Sequence, residues 1–286
     1  MQSMDIAAIL GVQDVRDVKS VVCVQPHPDD NEVGAGGTLA LLAAAGCRIV
    51  FVTVTDGRYG SANPAVNPLE LAAIRRRERD EAGRLLSVSK QIDLGFADGG
   101  DYSEFDVMKA LVKVLRSEQP ELVMTVDPWM PYEAHPDHVK TGRAVAAAVL
   151  NAGNISFPEA GSPCRIPQVA FYASSYPNVF IDVTSHWQTK MAAILAHKSQ
   201  FDNEEWPLLQ QFFAYQAAQA YAAGGIGQSN ADGAAAGTGV EIEAAKPDSA
   251  QPEPTHSDPA PPQRFAEAFK VLAARQLHFF PMALYS

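Results

Sequence analysis

The chain predicts an α/β fold: a Rossmann-like, mostly parallel sheet with helices on both faces, strand order 3-2-1-4-5, and a small C-terminal α+β extension. Three observations predict it. Strand-like and helix-like segments alternate over the first 150 residues. The strand-like runs are continuously apolar and β-branched, as in strands buried on both faces. Two chemically dense strings, Pro26-His27-Pro28-Asp29-Asp30-Asn31-Glu32 and Ala134-His135-Pro136-Asp137-His138, follow the first and fourth of those runs. In a doubly wound sheet strands one and four are neighbours, and ligands bind beyond their carboxyl ends.

The first strand is expected over 20–25 and a small-residue helix over 37–45. Residues 48–54 (Arg-Ile-Val-Phe-Val-Thr-Val) read as the second strand, and 69–86 as a charged helix starting just after Pro68. A short third strand is expected at 91–95. Val107, Leu111, Val114 and Leu115 give 105–118 a helical face. The fourth strand is expected at 121–126 and its helix at 138–150. Later come a pair of strands at 168–174 and 178–183 separated by Ser175-Tyr176-Pro177. A strand end plus helix follows over 182–200, with Thr184 or Ser185 as N-cap, and then an amphipathic helix over 207–223. Residues 224–263 carry no Phe, Tyr or Trp and many Ala, Gly, Ser, Pro and acidic residues, which reads as a flexible, low-complexity insertion. Residues 1–223 and 264–286 then form a single domain, with structure resuming at 264–274.

Composition narrows the function. With 22 basic against 33 acidic side chains the net charge is −11, which disfavours a nucleic-acid surface. No apolar run approaches the ~20 residues that span a bilayer. The N-terminal Met1-Gln2-Ser3-Met4-Asp5 does not read as a signal peptide. Cys23, Cys47 and Cys164 are odd in number and widely spaced, so neither a disulfide framework nor a CxxC zinc site is expected. A cytoplasmic protein is the expectation.

His27 and Asp30 lie three apart in one loop and His138 is remote, a near pair plus a distant third ligand that leaves a position for water. Asp29, beside a ligand, is placed to act as general base, and His135 to stabilise an oxyanion or protonate a leaving amine, with Asp137 fixing its tautomer. Simpler readings compete: Asp30 or Asn31 as a helix cap, and the HxxH as two surface histidines. The same residues suit the 2-His-1-carboxylate triad of a non-haem iron oxygenase, although the α/β alternation argues against it. A sugar- or nucleotide-binding module is a further alternative. However, Gly34-Ala35-Gly36-Gly37 lacks GxGxxG spacing, and Asp29, Asp30 and Glu32 would repel a pyrophosphate.

The two strings resemble the PIG-L/LmbE-type zinc-dependent N-acetylglucosamine deacetylases. Thr55-Asp56-Gly57, the helix from Arg75 to Glu78, Lys198-Ser199-Gln200 and Phe265-Ala266-Glu267-Ala268-Phe269 are similar to family segments. Asp127-Pro128-Trp129-Met130-Pro131-Tyr132-Glu133 most resembles the archaeal diacetylchitobiose deacetylase branch. The resemblance implies one zinc ion per chain on His27, Asp30 and His138, with Asp29 as base and His135 as its acid partner, oriented by Asp137. It also implies a homo-oligomer, and a small N-acetylated amino sugar as substrate: N-acetylglucosamine, its β-1,4-linked dimer, or an N-acetylglucosaminyl conjugate such as a thiol precursor or antibiotic intermediate. Against that branch, 228–263 stands as an insertion. Asp56, Arg58 and Arg75 are candidates for sugar hydroxyls, Arg75 competing with a surface pair to Glu78. Trp129 and Tyr132 are candidates for stacking on a pyranose, or for anchoring their loop. His186 and His197 read as ordinary helix residues, and His256 lies in the low-complexity stretch.

Overall fold

The computed structural model describes residues 9–226 and 263–278. Seven strands form one sheet in the order β3-β2-β1-β4-β5-β7-β6. The first five, β1 (Ser20–Gln25), β2 (Arg48–Thr55), β3 (Lys90–Phe96), β4 (Leu122–Val126) and β5 (Gln168–Tyr172), are parallel. The predicted order 3-2-1-4-5 is therefore present. The C-terminal extension is continuous with it, because β7 (Ala266–Ala273) runs antiparallel beside β5 and pairs on its other edge with β6 (Val179–Asp182). The two strands expected at 168–174 and 178–183 are present as β5 and β6, but they do not pair with each other. A strand some ninety residues later inserts between them, a pairing no local pattern encodes.

Burial explains the apolar runs. Every residue of β4 and β5 is buried, and one core cluster lies on each sheet face. Helices α1 (Asp30–Ala44), α5 (Trp187–Leu195) and α7 (Trp206–Ala223) cover one side, with Leu39, Leu42, Trp187 and Ile194 in the core. Helices α3 (Glu104–Glu118) and α4 (Pro136–Ala152) cover the other, with Leu111, Leu115, Val145 and Val149. Helix α2 (Pro68–Leu85) starts at Pro68 behind an Asn67 cap, whose side chain accepts from the Leu69 and Glu70 amides. Short α6 (Lys198–Phe201) links α5 to α7. Segment 227–262 of the expected insertion, including His256, lies outside the described residues.

Three local expectations are corrected. Helix α1 begins at Asp30 rather than at residue 37, so Asp30, Asn31 and Glu32 of the first string form its opening turn. Neither Asp30 nor Asn31 caps it: the N-cap is Asp29, which makes no side-chain cap bond. Thr184 opens a 3-10 turn (Thr184–His186), and α5 is preceded by His186, again without a side-chain cap. Helix α7 is not amphipathic. It contains no charged residue, buries only Ala217, and leaves Leu208, Phe212 and Tyr215 exposed.

One buried cation braces the sheet's far side. Arg116 of α3 donates to six carbonyls, those of Asn151, Ala152, Asn154, Ser156, Phe157 and Gly161, satisfying the end of α4 and the loop after it. Because hydrogen bonds from charged groups contribute about 1.5–3 kcal/mol each and their acceptors here are partly buried, Arg116→Met should lower unfolding free energy by at least about 3 kcal/mol in urea titration.

Candidate active site

The loops leaving the carboxyl ends of β1, β2, β3 and β4 converge on one cavity of about 330 Å³, lined by His27, Asp29, Tyr59, Gly60, Arg75, Asp98, Gly99, His135 and Pro136. Close approach of α4 to the sheet edge holds the β4 loop. A Cβ on Gly142 would sit 2.7 Å from the Val126 carbonyl oxygen and the Pro128 ring.

His27, Asp30 and His138 come together. His27 Nδ1 lies 3.4 Å from Asp30 Oδ2, and His138 Nε2 lies 3.5 Å from Asp30 Oδ1. One ligand atom from each of the three lies within 4.8 Å of the others. These separations are long for hydrogen bonds and close to the edge, about 3.4 Å, of a tetrahedron with bonds near 2.1 Å. The donor set, two imidazoles and one carboxylate, fits a divalent transition ion with an open position.

Asp29 sits at φ 131°, in the left-handed region where a non-glycine residue is strained. Arg75 holds it there: Nη2 donates to Asp29 Oδ2 at 3.0 Å and to the Pro28 carbonyl at 2.8 Å, and Nη1 donates to the Gly57 carbonyl. Arg75 is only 4% exposed, which overturns the surface pair with Glu78. Glu78 instead accepts from the Ser199 amide and hydroxyl. Gly57 is required beside the guanidinium, since its φ is 64° and a Cβ there would lie 2.5 Å from Arg75 Nη1.

His135 lies on the other wall, its ring 4.6 Å from that of His27 and 4.9 Å from that of His138. Its Nδ1 accepts the Asp137 amide at 3.3 Å, which assigns the ring proton to Nε2. Asp137 is fully buried. Its carboxylate accepts from Tyr102 Oη at 2.6 Å and from the Gly99 amide, and faces His27 Nε2 at 3.4 Å. Its carboxylate therefore contacts the His27 ring, while its contact to His135 is through the backbone amide.

Burial and the neighbouring charges together set the protonation of this cluster. For Asp29 burial is the largest influence and, with Asp30 beside it, lifts the carboxyl to about 7 despite the pull of Arg75. Burial also opposes ionisation of Asp30, but the His27 ring and amide outweigh it and bring the carboxyl down to about 2. His27 is held against the cost of burial by Asp137, Asp30 and Asp98, and rises to about 11. His135 moves the opposite way, lowered by burial and by its two histidine neighbours. It is the ring kept neutral.

The remaining candidates sit further out. Asp56 and Arg58 pair with each other at the rim. Trp129 is half exposed and packs edge-on against Phe171, and Tyr132 points entirely into solvent. Three site residues escaped the sequence reading. Asp98 Oδ1 lies 3.4 Å from His27 Nε2, Glu133 Oε2 lies 3.1 Å from His138 Nδ1, and Tyr102 bonds Asp137. Asp98 stands just past β3 at the same sheet edge as the two strings, and that position was the available signal. His197 is also no ordinary helix residue: it is fully buried, 3.4 Å from the equally buried Glu32.

Comparison with known proteins places the chain in a family. The PIG-L profile, described as GlcNAc-PI de-N-acetylase, matches residues 22–149. The chain is 37% identical over 201 residues to the diacetylchitobiose deacetylase of Thermococcus kodakarensis, covering 68% of this chain and 75% of that protein. It belongs to the PIG-L family. Another relative, at 34% identity over 183 residues, is 1D-myo-inositol 2-acetamido-2-deoxy-alpha-D-glucopyranoside deacetylase 2 of Saccharopolyspora erythraea, covering 55% of this chain and 66% of that protein. The solved N,N'-diacetylchitobiose deacetylase of Pyrococcus horikoshii superposes with a TM-score of 0.78 at 30% identity, over 96% of this chain and 92% of that one. As a PIG-L protein the chain has the mostly parallel α/β fold that its alternating segments predicted. Among the described residues no helix is long and apolar enough to cross a membrane.

Proposed function

We propose that this PIG-L protein hydrolyses the acetamide of an N-acetylated amino sugar, N-acetylglucosamine or diacetylchitobiose, to acetate and free amine. The observation that carries it is the convergence of His27, Asp30 and His138 beside a partly buried carboxylate, Asp29, whose affinity for a proton suits a base near neutral pH. His27, Asp30 and His138 would hold one zinc ion, which when bound supplies a Lewis acid and makes water nucleophilic at neutral pH.

The chain's own groups do the rest. Asp29, fixed by Arg75, takes a proton from the attacking water. His135, neutral with its proton on Nε2, donates to the oxygen that gains charge at the acetamide carbon. Protonated Asp29 then returns its proton to the departing amine, which balances water addition against acetate and amine release. Asp137 positions both His27 and His135. Arg75 at the cavity wall, Asp56 and Arg58 further out, and Trp129 and Tyr132 on the β4–α4 loop are the proposed sugar contacts.

The reading takes residues 1–223 and 264–286 as one domain; over the described residues it is supported by β7, which lies within the sheet begun by the N-terminal strands, and residues 1–8 and 279–286 lie outside the described residues. A cytoplasmic location fits three unpaired cysteines. A homo-oligomer fits the uncharged, solvent-facing stripe of α7. Similarity to the inositol-linked glucosaminide deacetylase favours an N-acetylglucosaminyl conjugate as the second substrate reading. An acetate-release screen over N-acetylglucosamine, diacetylchitobiose and N-acetylglucosaminyl conjugates separates the two. No acetate from any of them would reject the deacetylase reading.

A further inference from the structure

The loop from β4 to α4 contains a feature that the proposed reaction does not use directly. Tyr132 is a non-glycine residue at φ 70°, a conformation costly for a bulky side chain, and its ring is fully exposed, so its own packing does not offset the strain. The consequence of that turn is the placement of the next residue. Glu133 folds back under the loop with its side chain 15% exposed, and both of its oxygens are engaged. Oε1 accepts the backbone N–H of His135 at 2.8 Å, and Oε2 meets Nδ1 of His138 at 3.1 Å.

We infer that Glu133 is a positioning residue that sets the tautomer of His138 and the place of His135 together. A neutral imidazole has one N–H and one lone pair. With Oε2 accepting from Nδ1–H, the lone pair of His138 is left on Nε2, the nitrogen 3.5 Å from Asp30 Oδ1. A carboxylate behind a ligating imidazole also raises its basicity and fixes its plane. The second oxygen ties the same carboxylate to the start of α4, where His135 faces the cavity. One side chain thereby couples the distant ligand to the cavity-wall histidine. The strained Tyr132 turn is what brings it within reach of both.

The inference rests on the cation-site reading, and its test separates the two. The full chain is stripped with a chelator and titrated with Zn²⁺ alone against a chromophoric competitor. Wild type takes up one equivalent. Glu133→Ala weakens zinc binding by about 10–100-fold, the range for losing such an outer partner. Glu133→Gln, which keeps the shape and one acceptor oxygen, falls between the two, because that oxygen serves His138 or His135 but not both. At saturating zinc, Glu133→Ala lowers kcat while leaving KM within about twofold, a split that general loosening of the fold would not give. Zinc affinity of Glu133→Ala within about twofold of wild type overturns the inference. A wild type that binds no zinc overturns both it and the cation-site reading. Tight wild-type binding with equally tight binding by both variants overturns this inference alone.

Discussion

Replacing Asp29 with Asn should lower kcat by about two to four orders of magnitude, the usual contribution of a positioned general base, while the chain keeps its metal. Asn keeps the hydrogen-bond acceptor facing Arg75 and removes only the proton-accepting charge. The measurement is steady-state kcat with zinc content determined on the same sample. Full activity would remove Asp29 from the reaction. The substitution has a second consequence with a defined sign. Asp29 in the folded, metal-free protein stands at about 7 against an ordinary 3.8, because burial and then Asp30 disfavour its charge. Its folded value is raised, so its contribution to stability is complete below the ordinary value and is lost as pH rises through about 7. Metal-free Asp29→Asn should therefore melt above wild type at pH 8, and the gain should shrink as pH falls toward 4. A bound dication favours the carboxylate, so the acidic limb of kcat/KM in the loaded enzyme should lie below the metal-free value.

Arg75→Leu should damage the site severely while leaving every proposed zinc ligand in place. The guanidinium holds Asp29 Oδ2, the Pro28 carbonyl and the Gly57 carbonyl from a buried position. Its removal leaves the Pro28 and Gly57 carbonyls without their donor, at about 1–3 kcal/mol for each such lost partner. Arg75 is also a cation pulling the Asp29 carboxyl down, so its loss moves that carboxyl further up. Asp29 then stays protonated across neutral pH and is no longer held in its strained backbone conformation. The expected result is lower unfolding free energy, kcat at pH 7 down by at least about 100-fold, and a pH profile displaced to higher pH. An Arg75→Leu enzyme with wild-type kcat and an unmoved profile would show that Asp29 needs no orienting cation.

The two strings were legible because topology assembles them. Valine-rich apolar runs announce β1 and β4, and the parallel order places their ends side by side, so His27, Asp30 and His138 meet without any long-range inference. Arg75 was harder to read. In an Arg-Arg-Arg-Glu run three guanidiniums look alike, and only the packing of α2 against the Gly57 turn selects the one that turns inward. Asp98 sits in Ala97-Asp98-Gly99-Gly100, a composition that any surface turn shares. Glu133 was read as part of a branch-specific segment rather than as a partner of His138, because its reach depends on the left-handed Tyr132, which no side-chain pattern announces. The place of β7 between β5 and β6 depends on antiparallel pairing across a long sequence gap. Its buried Glu267, which accepts from Lys190 and from the Gly37 and Thr38 amides, is equally silent in the sequence.

The grip of three side chains on one dication is tested most directly by counting zinc per chain in wild type and His138→Ala, purified without chelator, alongside acetate release. Wild type should carry one tightly held ion per chain and lose its activity to a chelator, recovering it on readdition. His138→Ala should hold none after dialysis and be inactive. A His138→Ala protein that retains stoichiometric zinc and full acetate release would contradict the account.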